Sequence, residues 1–314
     1  MQAGHRTLNP AGRTWFELVL ECGRTGLDAV CEHLETAGAV SVTLEDAGDD
    51  PQLEPKPGAT PLWPQVRVRA LYEHAIGPEI ARSALPDTAT VTVVRVRQIS
   101  DRDWLAASLE DIVPIEVGAL WIGPHRADPP PDRVVVRLEP GLAFGSGRHP
   151  TTWLCLEWLA RKFGCFPTAD APPAELDVID YGCGSGILAV TAAVLGASRV
   201  TAIDIDPQAL RATAENARAN GVSDRVSVVP AETAAKAPVR PASLVVANIL
   251  ADPLMALAPT LADLTIPGGD LALSGILEAQ ADEVADAFGG AFDIRTGGRS
   301  EEWVRLDGRR REER

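Results

Sequence analysis

Two rhythms of apolar positions divide this chain. Residues 13–22, with Trp15, Glu17 and Val19 in partial alternation, predict a strand. Thr25 to Leu34 carries helical periodicity, and Ala39 to Leu44 is strand-like again. A loop rich in proline and acid runs from Glu45 to Pro61. Beyond it, Gln65-Val-Arg-Val-Arg-Ala-Leu71 alternates at period two, giving one apolar and one basic face. Gly77 to Leu85 predicts a short helix, and Thr90 to Arg97 a further strand. The order β-α-β-β-α-β is that of a ferredoxin-like split βαβ sandwich, expected over residues 13–98.

The rhythm then changes. Residues 101–112 predict a connecting helix, and Leu120 to Ile122 and Val134 to Leu138 predict strands around the breaker Asp128-Pro-Pro-Pro-Asp132. From about 150 onward, strand and helix signals take turns. Strands are expected near 176–181, 199–204, 226–229, 243–248, 270–274, 292–295 and 302–306. Helices are expected near 151–163, 186–195, 207–219, 252–264 and 278–288. Such alternation requires a mostly parallel sheet with helices on both faces. The expected organisation is a small α+β domain over 1–98, a connector with a hinge at Pro129-Pro-Pro131 over 99–133, and an α/β domain over 134–314.

Chemistry concentrates in the α/β part. Val178-Ile-Asp-Tyr-Gly-Cys-Gly-Ser-Gly186 is an apolar strand that ends at Asp180 and turns through glycines 182, 184 and 186 into a helix. Glycine lets a ligand approach the backbone of such a turn closely. The next strand ends at Asp204, whose carboxylate can accept hydrogen bonds from ribose hydroxyls. Dinucleotide folds use G-x-G-x-x-G. The spacing here is G-x-G-x-G, which resembles the first motif of S-adenosylmethionine-dependent methyltransferases.

Ligands of a doubly wound sheet bind beyond the carboxyl ends of the strands. Asn248, the polar residue that ends the apolar run Leu244 to Ala247, falls in that crevice with Gly182 and Asp204. An asparagine there is either a helix cap or a transfer residue. Its amide oxygen can accept the N–H of an amine and aim the lone pair at a methyl donor, with no strong base required of the protein. A second run, Glu139 to Thr152, ends in Gly-Arg-His-Pro-Thr-Thr. Phe144 can cover an adenosine, and Thr151 and Thr152 either cap the helix that follows or bind a carboxylate at its start. His149 reads as a structural hydrogen-bonding residue, Cys183 as small-residue packing, and Glu232 as a residue that can approach an adenine.

Composition narrows the partners. A chain of 314 residues accommodates roughly two domains. It has no apolar run of membrane-spanning length, and its first residues lack a signal peptide's apolar core. Five scattered cysteines without a C-x-x-C pair suit a reducing cytoplasm and imply neither a disulfide framework nor a zinc site. The formal net charge is −15, whereas nucleic-acid binding normally needs a basic face. Ten acidic and four basic side chains in the first 65 residues favour a basic protein partner. No membrane partner and no direct nucleic-acid binding are expected, and the chain reads as a monomer.

Four motifs together, Asp180 to Leu188, Asp204-Ile-Asp206, Ala247-Asn-Ile-Leu250 and Gly141 to Thr152, resemble the bacterial ribosomal protein L-eleven methyltransferase family over nearly the whole chain. The resemblance implies a Rossmann-like seven-stranded methyltransferase sheet preceded by a ferredoxin-like domain that recognises the substrate protein. It implies S-adenosyl-L-methionine as cofactor. The implied substrates are lysine side chains and the N-terminal α-amine of the large-subunit ribosomal protein L-eleven. By motif position, Thr152, Gly182, Asp204 and Asn248 are the cofactor contacts, with Gly184 in the same turn and Asn248 also at the transfer site. Two departures stand out: Ser146 where threonine is usual, and Ser108 and Ile112 where the connector often holds aromatic residues beside Trp104. A release-factor glutamine methyltransferase would instead end its fourth strand in Asn-Pro-Pro-Tyr. A noncatalytic ribosome-assembly factor that binds the cofactor only for stability is the rival from another class, opposed by the intact turn, Asp204 and Asn248.

Overall fold

The computed structural model describes residues 14–48, 63–83, 85, 91–100, 114–124, 126–138, 149–165, 175–237 and 239–312. The chain divides into two compact units, 1–111 and 112–314. The expected connecting helix with Trp104, Ser108 and Ile112, most of the acidic loop, and the segment holding Phe144 and Ser146 lie outside the described residues.

The first unit runs β1 (Thr14–Gly23), α1 (Leu27–Thr36), β2 (Ser41–Asp46), β3 (Gln65–Tyr72), α2 (Ile76–Ser83) and β4 (Val91–Ser100). Its sheet has the order β2-β3-β1-β4 and is antiparallel throughout, the split βαβ arrangement expected from the pattern. Period-two alternation sends Val66, Val68 and Ala70 of β3 and Leu18 and Leu20 of β1 onto one face. There they pack with Val30 and Leu34 of α1. The opposite face of β3 is not the free basic surface that the sequence suggests. Arg67 pairs with Glu21 at 2.6 Å, and Arg69 with Glu17 at 2.6 Å and Glu45 at 3.0 Å. Arg97 also reaches Glu17, at 2.7 Å. Burial disfavours the Glu17 charge, but hydrogen bonds from Arg69 and Arg97 outweigh it and hold the carboxyl below its ordinary range.

The second unit opens with β5 (Ile115–Val117), β6 (Leu120–Gly123) and β7 (Val134–Arg137), which form a three-stranded sheet of their own. Val117, Leu120, Ile122 and Val136 share a core with Leu156, Leu159, Leu188 and Val190. The side chain of Asn220 accepts from the backbone N–H of Arg137 at 2.7 Å and donates to its carbonyl at 2.6 Å. Pro129-Pro-Pro131, expected from the sequence as the hinge, lies between β6 and β7 within the second unit. A proline break marks a turn from sequence but does not say on which side of a domain boundary it falls.

The large sheet is formed by β8 (Asp177–Tyr181), β9 (Arg199–Asp204), β10 (Val226–Pro230), β11 (Ala242–Asn248), β12 (Thr265–Leu277), β13 (Phe292–Ser300) and β14 (Trp303–Arg310). Their order is β10-β9-β8-β11-β12-β14-β13, with the first five parallel and β14 antiparallel to both neighbours. The helices are α3 (Pro150–Lys162), α4 (Ile187–Val194), α5 (Pro207–Ala219), α6 (Ala231–Lys236), α7 (Ala251–Leu264) and α8 (Ala281–Phe288). Strands buried on both faces explain the continuous apolar runs. In β8, Val178 joins the core beneath α3 and α4, while Ile179 joins that of Leu254, Leu261 and Phe288. The six-residue α6 has no buried side chain, so no apolar period announced it.

Candidate active site

The turn after β8 holds Gly182 at φ 80°, Gly184 at φ 53° and Gly186 at φ 79°, all left-handed. Any other residue would pay about 1–3 kcal/mol at each. The sequence suggests that these glycines make room for a ligand, and the structure gives a different reason for two of them. A Cβ on Gly182 would lie 2.5 Å from Ile249 Cγ2, and one on Gly186 would lie 2.7 Å from Thr213 Oγ1. The turn is therefore pressed between the end of β11 and helix α5.

Hydrogen bonds fix the turn. The N–H groups of Gly182 and Cys183 both donate to the Ile203 carbonyl, at 2.8 and 3.0 Å. Gly184 N–H donates to Asp204 Oδ2 at 2.9 Å, and Asp206 N–H to Asp204 Oδ1 at 2.9 Å. Thr213 Oγ1 donates to Gly184 O, and Asn216 Nδ2 to Ser185 O. Asp204 is only partly buried, and a carboxylate oxygen holding one N–H can accept another donor. Helix α4 starts at Gly186 without a side-chain cap. Asp180 substitutes from behind, accepting the N–H of Ala189 at 2.9 Å. Its other oxygen, Oδ1, is buried and has no hydrogen-bond partner among the described residues. Burial pushes the Cys183 thiol up to about 12, with the Asp180 charge adding, which fits packing and not nucleophilic chemistry.

The second half of the site comes from α3 and β11. His149 caps α3, accepting the N–H of Thr151 and pairing with its hydroxyl at 2.8 Å, while its ring stands edge-on to Trp303. Pro150 occupies the first helical turn, where its missing N–H costs nothing. Thr152 is buried, and Asn248 Nδ2 donates to Thr152 Oγ1 at 3.3 Å. Two residues 96 positions apart therefore meet. The five candidates named from sequence form two bonded pairs, Gly184 with Asp204 and Thr152 with Asn248, with Gly182 against Ile249 between them. Glu232 is exposed and paired with Lys236. Ser274, Thr213 and the burial of Asp180 were missed. Ser274 lies inside β12, three residues before its end, and only the register with β11 sets it beside Asn248.

This arrangement suits a ligand that carries a ribose. A partly buried carboxylate stands at the end of β9 for its hydroxyls, beside the glycine turn that opens α4. Fold and site together define a Rossmann-like S-adenosylmethionine-dependent methyltransferase. The family model of ribosomal protein L11 methyltransferase matches residues 14–311. The chain is 42% identical to the ribosomal protein L11 methyltransferase of Hahella chejuensis, over 95% of this chain and 99% of that one. It is 44% identical to that of Azotobacter vinelandii, with the same coverage of each chain. A crystal structure of ribosomal protein L11 methylase from Lactobacillus delbrueckii subsp. bulgaricus is similar, with a TM-score of 0.55 and 33% identity. That likeness covers 63% of this chain and 98% of that one. The chain belongs to the ribosomal protein L11 methyltransferase family and is an S-adenosylmethionine-dependent protein methyltransferase.

Proposed function

We propose that this enzyme methylates the lysine side chains and the N-terminal α-amine of the large-subunit ribosomal protein L11. Residues 112–314 carry the chemistry, and the first unit recognises the substrate protein. The observation that carries this reading is the Asn248–Thr152 pair beside the glycine turn. S-adenosylmethionine supplies a methyl group on a positively charged sulfur. Asp204 accepts the ribose hydroxyls, and the backbone at Gly182 and Gly184 walls the crevice. Because Asn248 gives its Nδ2 to Thr152, its Oδ1 is left to accept an N–H of the incoming amine and aim the nitrogen lone pair. The amine arrives neutral, having lost its proton to solvent, so these residues orient and need not abstract. The enzyme works as a cytoplasmic monomer without a nucleic-acid or membrane partner in this reading. No described helix is long and apolar enough to cross a membrane.

Mass spectrometry of purified L11 after incubation with enzyme and S-adenosylmethionine tests the proposal. Mass gains in steps of one methyl, mapped to lysines and the N-terminus, are expected; an unmodified protein overturns it. Asn248→Ala should lower the single-turnover rate about a hundred-fold, the scale of a misplaced reactant, with only a few-fold change in cofactor affinity. A larger effect on affinity than on rate would make Asn248 chiefly a cofactor contact. Asp204→Ala should do the opposite and weaken calorimetric binding by about 1–3 kcal/mol. Unchanged binding by a folded Asp204→Ala protein would remove that carboxylate from the site.

A further inference from the structure

Asn248 and Thr152 sit on different elements, and one residue ties both. Ser274 is fully buried in β12 and lies directly opposite Asn248 in the parallel pairing with β11. Its carbonyl accepts the N–H of Ile249, the residue after Asn248, at 3.1 Å. Its hydroxyl donates to the carbonyl of Thr151, the residue before Thr152, at 3.1 Å. Cys155, on the same helix, also faces this hydroxyl. The next residue, Gly275, has φ 86°, and a Cβ there would stand 2.3 Å from the Ile249 carbonyl oxygen. Only glycine lets the strand pass so close to the end of β11.

We propose that Ser274 is a positioning residue for methyl transfer: it locks the first turn of α3 to the end of β11 and so sets the contact between Thr152 and Asn248. The inference rests on Asn248 as the group that aims the amine. The physical case is geometric. The buried Ser274 hydroxyl, out of reach of water, takes as its acceptor the Thr151 carbonyl, whose second lone pair stays open beside its helical bond. Losing that bond frees α3 to shift by the fraction of an ångström that an oriented transfer does not tolerate. Ser274 touches neither reactant and acts through Thr151, Thr152 and Asn248.

The test measures single-turnover rate, cofactor affinity and the KM for L11 in four variants: Ser274→Ala, Ser274→Thr, Asn248→Ala and the double alanine variant. Ser274→Ala should slow transfer about ten-fold, the scale of one buried hydrogen bond. Cofactor affinity and the KM for L11 should stay within about two-fold of wild type, because neither ligand meets Ser274. Ser274→Thr, which keeps the hydroxyl, should restore most of the rate. The double variant should be no slower than Asn248→Ala, since a residue acting through another adds nothing once that one is gone. A wild-type rate for Ser274→Ala, or additive losses in the double variant, overturns the positioning role and leaves Asn248 in place. Normal turnover of Asn248→Ala overturns both. Ser274→Cys, close in volume but a weaker donor, carries the same comparison if the alanine variant does not fold.

Discussion

A chain that starts at residue 112 should fold and bind S-adenosylmethionine, yet methylate L11 about a thousand-fold more slowly than the full-length enzyme. That ratio corresponds to about 4 kcal/mol of lost recognition free energy. Independent folding follows from the packing. Residues 112–314 contain two apolar cores of their own, and Thr152, Gly182, Gly184, Asp204 and Asn248 all lie within them or at their edge. The start point matters, because Ile115 begins β5 and Val117, Leu120 and Ile122 belong to the core beneath α3 and α4. Cutting at 134, the boundary suggested by sequence, would strip β5 and β6 from that core and leave β7 unpaired with them. The missing unit carries seventeen acidic against ten basic side chains. A basic ribosomal protein is drawn to such a surface, so the KM of the full-length enzyme should rise with salt. Thermal unfolding and calorimetry would establish that the truncated chain is folded and loaded before rates are compared. Equal rates on intact L11 would return substrate recognition to the second unit.

The legible part of this molecule is the part governed by local rules. Alternation at period two placed β3, and continuous apolar runs placed β8, β9 and β11, because strands buried on both faces must be apolar at every position. The glycine turn and Asp204 could be read because φ > 0 and a strand-end carboxylate leave residue-type signatures. What stayed hidden depends on pairing between distant elements. Nothing in the sequence says that Gly182 is there for Ile249, or that Arg67 and Arg69 are neutralised by Glu17, Glu21 and Glu45 across the sheet. Ser274 was passed over for the same reason. A serine in an apolar strand looks like a tolerated polar residue until the register sets it beside Asn248.

Asp180, in the sequence the end of an apolar strand and the start of the glycine motif, should dominate how stability responds to pH. Asp180 is 1% exposed, with one oxygen on the Ala189 N–H and the other without a partner among the described residues. Burial pushes its carboxyl up from 3.8 to about 7; the Ala189 bond opposes the shift, and the like charge of Asp204 adds to it. Below pH 4 folded and unfolded chains both hold the proton. Between about pH 4 and 7 the unfolded chain releases it while the folded one keeps it, so stability must fall as pH rises; above 7 the penalty is constant. Three pH units at about 1.4 kcal/mol each put that penalty on the order of 4 kcal/mol. The facing thiols of Cys155 and Cys183, both pushed up to about 12, stay protonated and cannot produce the slope. Asp180→Asn keeps the shape and an acceptor for Ala189 but cannot ionise. Urea unfolding of both proteins at intervals from pH 4 to 8 should show the variant gaining steadily on the wild type up to about pH 7, and then a plateau. A difference that stays flat across that range would mean that Asp180 is already ionised at pH 4. The unpartnered oxygen would then have to be stabilised by something other than a retained proton.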